Sequence, residues 1–388
     1  MYEFERPNFE RAVQAYEAAG EPAAAAALRA SLDGLAGRFG GHLDSFSIKA
    51  PAFDRPEAAL LDARDALAAA EVAGSSDPLA VENERVIVGI SLDRAGRTAD
   101  AADETERACA TLAPVANRDD AHANGYLAAL RNLSGLQRKL GRNAEARTTL
   151  QTAVPLAERL DRTAAISVHL ELGSLSSALG ALDEAKDHYA RALVRAQVLH
   201  AAAEEAGALF GLAGVAYRQS SLDEAERRTH DAAALCESIG DVRRVASAYA
   251  QLGSIAVDRG AAEEAERWFA TLSSSPGYAA CDAATQAFFD ASIATDMMRL
   301  VHAQMSADPA IAAATTGDAW NEAVAAFLAR DDAARRRVAA AKTVAERVVA
   351  AHGADPTSVG ARFARDELRR IARMESAEAR YSAQRGRQ

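Results

Sequence analysis

The sequence predicts an all-α fold: a right-handed superhelical solenoid of antiparallel helix pairs with flanking N- and C-terminal helices. Three observations carry that expectation. First, the chain repeats itself between about 162 and 272. Leu172-Gly173, Gly180, Ala185, Tyr189 and Ala192 recur 40 residues on as Leu212-Ala213, Ser220, Ala225, Thr229 and Ala232. Another 40 residues on they recur as Leu252-Gly253, Gly260, Ala265, Phe269 and Leu272. A fixed period of this length marks stacked supersecondary units, because one helix pair cannot bury its apolar stripe alone. Second, about a quarter of the 388 residues are Ala, a strong helix former. Third, aromatics make up only 5% and β-branched runs are scarce, so no stretch reads as sheet.

The spacing has a steric meaning. Gly or Ala at the eighth position of each unit lets its first helix, A, approach its second, B. Ala at the twentieth and twenty-seventh positions does the same from the B side. The large residue at the twenty-fourth, Tyr189 or Phe269, fills the space between neighbouring units. Extending the register backwards gives Gly89, Gly96, Ala101 and Ala108, then Leu133-Ser134, Gly141, Ala146, Leu150 and Ala153. This pattern resembles the tetratricopeptide repeat, in the roughly 40-residue form of bacterial regulators and signalling ATPases, over about 83 to 272.

In chain order, residues 1–79 read as an N-terminal helical region, either a degenerate repeat or a small bundle. Its helices run from Asn8 to about Ala19, to about Phe39, and from about Glu57 to Ala73, with a loop over Gly40–Pro56. Residues 80–272 form the repeat core, with Asp183 expected to cap one B helix and Gly240-Asp241 to end one helix and cap the next. Residues 273–388 hold a long helix from Asp282 to about Met305. A poorly matched pair (Pro309–Leu328, Asp331–His352) follows, then an amphipathic cap helix from about Ser358 to Tyr381.

The formal net charge of -11 argues against non-specific binding to nucleic acid or anionic membranes. Cys109, Cys236 and Cys281 form no disulfide framework, and no run reaches the length of a membrane span, so a cytoplasmic protein is expected; the repeat resemblance implies a bacterial one. Phosphate-loop, dinucleotide, zinc-protease and nucleophile-elbow motifs are absent. No enzyme activity, cofactor or metal is therefore predicted. Glu184/His188 and Glu226/His230 lie one turn apart and read as surface pairs. His169 and Glu171 sit on an A helix, where packing is expected. Cys109 and Cys236 read as small core residues. The C-terminal arginines (Arg362, Arg365, Arg369, Arg370, Arg373, Arg380) alternate with Asp366, Glu367, Glu375 and Glu378, as a salt-bridged helix face would.

The family resemblance implies a binding groove lined by the A helices, mainly through their second, fifth, ninth, twelfth and thirteenth positions. Here those positions are Asn83, Asp93 and Arg94; Arg131, Arg138 and Lys139; Ser167, Ser174 and Ser177; Phe210, Tyr217 and Arg218; and Ser247, Ser254 and Asp258. Arg and Lys at one end suit an acidic segment or a C-terminal carboxylate. Phe210 and Tyr217 would anchor an apolar side chain. The family's usual carboxylate-clamp set is not matched.

These expectations point to a non-catalytic scaffold or adaptor binding a protein or peptide segment. An alternative is a peptide-responsive regulator resembling quorum-sensing receptors, although residues 1–75 carry no helix-turn-helix signature. Another is a self-assembling structural solenoid, with homo-oligomerisation through the terminal helices.

Overall fold

The turns that close the helix pairs share one backbone geometry. Gly96, Gly141, Gly180 and Gly260 have φ of 76°, 76°, 81° and 74°, values that only glycine adopts without steric cost. The next residue's N–H then reaches back five positions: Arg97 to Leu92 O (2.9 Å), Arg142 to Gln137 O (2.8 Å), Ala181 to Ser176 O (2.8 Å) and Ala261 to Ala256 O (2.9 Å). This is the Schellman closure, which satisfies orphan carbonyls at a helix end and reverses the chain. Two non-glycine residues adopt the same conformation. Ser220 (φ 59°) takes the glycine's place within a pair, and His200 (φ 54°) does so between pairs. Gly240 (φ 72°) also stands between pairs, and Asp241 then accepts a hydrogen bond from Arg244 N at 3.1 Å.

The computed structural model describes residues 56–73, 77–160, 162–354 and 358–385. The expected helices at 8–19 and 21–39 and the 40–56 loop lie outside them, Pro56 excepted. By packing, the chain divides into two units, Met1–Val168 and His169–Gln388.

In the first unit, α1 (Pro56–Val72) packs on α2 (Pro78–Arg94). Helix α2 pairs with α3 (Thr98–Leu112), and α4 (Asp120–Lys139) pairs with α5 (Asn143–Leu160). Helix α3 also packs on α4, so B helices join successive pairs. Helix α6 (Arg162–Ala178) contains the division between units.

The second unit continues with α7 (Leu182–Val198), then α8 (Ala202–Arg218) with α9 (Leu222–Ser238), and α10 (Val242–Asp258) with α11 (Ala262–Ser274). The short α12 (Pro276–Ala279) leads to α13 (Ala283–Ser306). Another short turn, α14 (Pro309–Ala312), precedes α15 (Gly317–Arg330), α16 (Asp332–His352) and α17 (Val359–Arg385). Among the described residues there is no strand.

Size complementarity sets the helix spacing. Ala101, Ala146, Ala185, Ala225 and Ala265 are fully buried at the helix crossings. Tyr189 lies between Gly173 of its own pair and Gly211 of the next, where an added Cβ would come within 2.7 and 2.3 Å of its ring. Phe269 presses on Gly253 in the same way, at 2.3 Å. Where the pair carries Ala213 instead of glycine, the aromatic is replaced by Thr229, whose hydroxyl folds back on Ala225 O at 2.7 Å.

Two expectations of local pairing are corrected. Asp183 does not cap α7: Ala181 follows the left-handed glycine directly and takes the cap position, leaving Asp183 inside the first turn. Its carboxylate instead accepts from Gln219 Nε2 at 3.3 Å. Helices α15 and α16 do not make a repeat-like pair. Helix α16 packs along α13 and α15 along α17, around a shared core of Met298, Val301, Phe327, Leu328, Val338 and Ile371. The buried Arg337 ties α16 to Glu266 of α11 (2.6 Å) and Gln304 of α13 (3.2 Å).

Two substitutions test this account by urea unfolding. Ser220→Gly removes a left-handed non-glycine residue and should stabilise the chain by about 1 kcal/mol. Gly253→Ala forces a methyl into the Phe269 ring and should destabilise it by about 1–3 kcal/mol. A stabilising Gly253→Ala would show that the helix spacing is not set by this contact.

Candidate ligand-binding face

In the first unit, the residues assigned to the A-helix face lie on α2 and α4. Asn83, Arg94 and Arg138 are exposed, and Arg131 is half-buried. Lys139 does not stand free, because its ammonium pairs with the Asp93 carboxylate, which also accepts from Thr98 Oγ1 at 2.9 Å. Two residues assigned to the ligand thus neutralise each other. Ser167, on the part of α6 in this unit, is half-buried.

A buried polar cluster among the described residues of this unit falls outside the sequence-based expectations. His122, buried at 3% exposure, places Nδ1 2.7 Å from Asp119 and Nε2 2.8 Å from Asp77. Both nitrogens face carboxylates, an arrangement that favours the doubly protonated ring. Hydrogen bonding to Asp119, then Asp77, raises the His122 pKa. The backbone N–H of Leu79 and then His122 lower that of Asp77, and His122 lowers that of Asp119. Each aspartate caps a helix start, and that cap role was the signal available in the sequence.

In the second unit the A-helix face is cross-linked from helix to helix. Arg218 of α8 donates to the carbonyl of Ser177 on α6 and, at 3.0 Å, to its hydroxyl. Arg299 of α13 pairs with Asp258 of α10 and, at 2.7 Å, with Asp296 of its own helix. The buried Asp296 also accepts from Ser254 Oγ at 2.6 Å. Tyr217 joins this network through Asp258 and Arg299. Burial, and next the Asp258 hydrogen bond, push its phenol up to about 12. Burial opposes the charge of Arg299, but its bonds to Tyr217 and Asp296 outweigh that and raise its pKa. Of the assigned residues, Ser177, Tyr217, Arg218, Ser254 and Asp258 are therefore held within the fold. Phe210 is half-buried against Ala206, Cys236 and Val245. Ser174 is half-buried and Ser247 exposed.

One position on α8 leaves the backbone open. Gly207, Gly211 and Gly214 line one side of α8. Gly211 is required by Tyr189, but a Cβ at Gly207 would meet only Leu170 Cδ1 at 3.7 Å, and one at Gly214 would meet nothing within 4 Å. Packing does not require glycine at 214, although glycine inside a helix costs about 1 kcal/mol relative to alanine.

The remaining reactive groups are used in packing. Burial pushes the Cys109 thiol up to about 12 and raises that of Cys236, the opposite of what a nucleophilic thiolate needs. His169 is fully buried with its Nδ1 3.1 Å from His188 Nδ1, so one ring donates and the other accepts. His188 also lies 3.8 Å from Glu184. Glu226 does not pair with His230. It binds Arg259 at 2.5 Å, and His230 packs on Trp268 at 5.9 Å between ring centroids. Among the described residues no group of three or more His, Cys, Asp or Glu could hold a metal ion, and no helix is long and apolar enough to cross a membrane. Arg369 pairs with Asp366 and Arg370 with Glu367, each at 2.9 Å, while Glu375 pairs with Lys342 at 2.7 Å.

No protein-family model matches the chain, and no curated protein matches its sequence. Solved structures do resemble it. BtubC (BKLC) from P. vanneervenii is 17% identical with a TM-score of 0.50, over 56% of this chain and 90% of that one. The apo form of RapI is 14% identical with a TM-score of 0.50, over 64% of this chain and 85% of that one. A tetratricopeptide repeat protein from Parabacteroides merdae is 17% identical with a TM-score of 0.40, over 75% of this chain and 99% of that one. For the first two, at these identities, the likeness is one of fold.

The His122 cluster predicts a pH dependence. The raised histidine stabilises the fold fully below its ordinary 6.5 and loses that contribution as pH climbs through the raised value. The two lowered aspartates contribute above 3.8 and lose their effect in acid. Thermal unfolding of wild type and His122→Gln should therefore differ most between these limits and converge towards pH 9. A difference that stays constant from pH 5 to pH 9 would contradict the assignment.

Proposed function

We propose that this chain, an all-α protein of tetratricopeptide-like repeat fold, is a non-catalytic scaffold that binds a peptide or protein segment along the A-helix face. The observation that carries this reading is the contrast along α8. The polar residues at its C-terminal end are locked to neighbouring helices, while Gly214 leaves open backbone where packing needs none. The open backbone at Gly214, one turn from the half-buried Phe210 on the same helix, lets an extended segment approach the helix closely. Because the cross-helix bonds already fix the face, binding orders few protein side chains. In the first unit, the exposed Asn83 and Arg138 would favour an acidic segment bound there.

Peptides selected from a random library against the immobilised full chain, with affinities measured by fluorescence anisotropy, test the reading. Gly214→Ala should stabilise the fold by up to about 1 kcal/mol while weakening the selected peptides roughly fivefold, about 1 kcal/mol. Unchanged affinity in the more stable variant, or crosslinks that map away from α6, α8 and α10, would remove the A-helix face from the proposal.

A further inference from the structure

Where α17 meets α13, the second unit holds an open cavity of about 160 Å³ lined by Phe288, Ala291, Ser292, Thr295 and Phe363. The two helices touch closely here, since a Cβ on Gly360 would lie 2.8 Å from the Ala287 carbonyl oxygen. That contact sets Phe363 opposite Phe288. Both rings stay substantially exposed, at 45% and 51%. Among the described Phe, Trp and Tyr residues only Phe288, Phe363 and Trp320 are exposed, and two of the three share this recess. An apolar cavity of roughly 150 Å³ accommodates one benzene molecule, so the volume corresponds to one ring or one branched aliphatic group.

A cation stands beside one lining ring. The Arg362 guanidinium carbon lies 5.8 Å from the centroid of the Phe363 ring. Among the described residues no carboxylate pairs with it, because Asp366, one turn along the helix, is taken by Arg369 at 2.9 Å. Arg362 lies in the first turn of α17, where the helix dipole also favours an anion. The lining supplies a donor as well. Thr295 Oγ1 is committed to Ala291 O at 2.9 Å, whereas the Ser292 hydroxyl has no partner among the described residues. Apolar walls sized for one ring, a free hydroxyl and one unneutralised guanidinium form a consistent donor set. They match a small molecule with one apolar group and one negative charge.

We propose that this recess is a binding site for a small monocarboxylic acid with an aromatic or branched apolar body. The body sits between Phe288 and Phe363, and the carboxylate accepts from Arg362 and from the Ser292 hydroxyl. The site is built from other helices than α8 and does not depend on the peptide reading.

The test uses 4-fluorophenylacetate and the uncharged 4-fluorophenylacetamide as probes of the full-length chain, read by ¹⁹F NMR line broadening. The acid should bind saturably and about fivefold or more tightly than the amide. Arg362→Gln, an exposed change whose folding is checked by circular dichroism, should abolish the acid's advantage while leaving amide binding unchanged. Phe288→Ala should weaken both probes. Absence of saturable binding by the acid, equal binding of acid and amide, or an acid affinity indifferent to Arg362→Gln would each overturn the proposal. Should Phe288→Ala fail to fold, the Arg362→Gln comparison alone decides.

Discussion

The structure depends on a backbone constraint: a residue in the left-handed conformation at the turn that closes each repeat helix pair, with the next N–H bonded five residues back. That closure fixes where a helix stops and the direction in which the following one leaves. Every A/B crossing therefore starts from the same geometry, and the small residues at 101, 146, 185, 225 and 265 can meet at equivalent places. Ser220 and His200 show that the closure outranks local preference, since both accept an unfavourable φ rather than change the turn.

Given that geometry, side-chain volume sets how close the helices come. Gly173 and Gly211 leave room for Tyr189, Gly253 leaves room for Phe269, and Ala213 is matched by the smaller Thr229. Charge then ties neighbouring helices. Arginine is the main cross-link, reaching carbonyls and hydroxyls (Arg218), paired aspartates (Arg299) or carboxylates on a preceding helix (Arg259). Its planar fork suits several acceptors at once, and an acidic chain supplies many of them. One consequence is that much of the A-helix face is satisfied internally.

The C-terminal helices follow a different logic. Their pairing is set by a common apolar core, with α13 facing α16 and α15 facing α17, instead of by the tight turns of the repeats. Because α17 closes on α13 through Gly360, two aromatic rings that belong to distant parts of the chain come to share one recess.

The sequence by itself determined the helical class, the turn positions and the small-residue crossings. It also placed Tyr189 and Phe269 as fillers, and Gly240-Asp241 as a helix stop and start. These features act over a few residues, so backbone conformation and side-chain size express them wherever the chain goes. The tertiary structure decided which charges meet. Lys139 and Asp93 are 46 residues apart, and Arg299 and Asp258 are 41 apart. Glu226 passes over His230, four residues on, for Arg259, 33 residues away. Long flexible side chains have many acceptors within reach, and only the packed positions of the helices select among them. The His122 cluster and the Phe288–Phe363 recess have the same origin. Each is assembled from elements whose proximity no local pattern encodes.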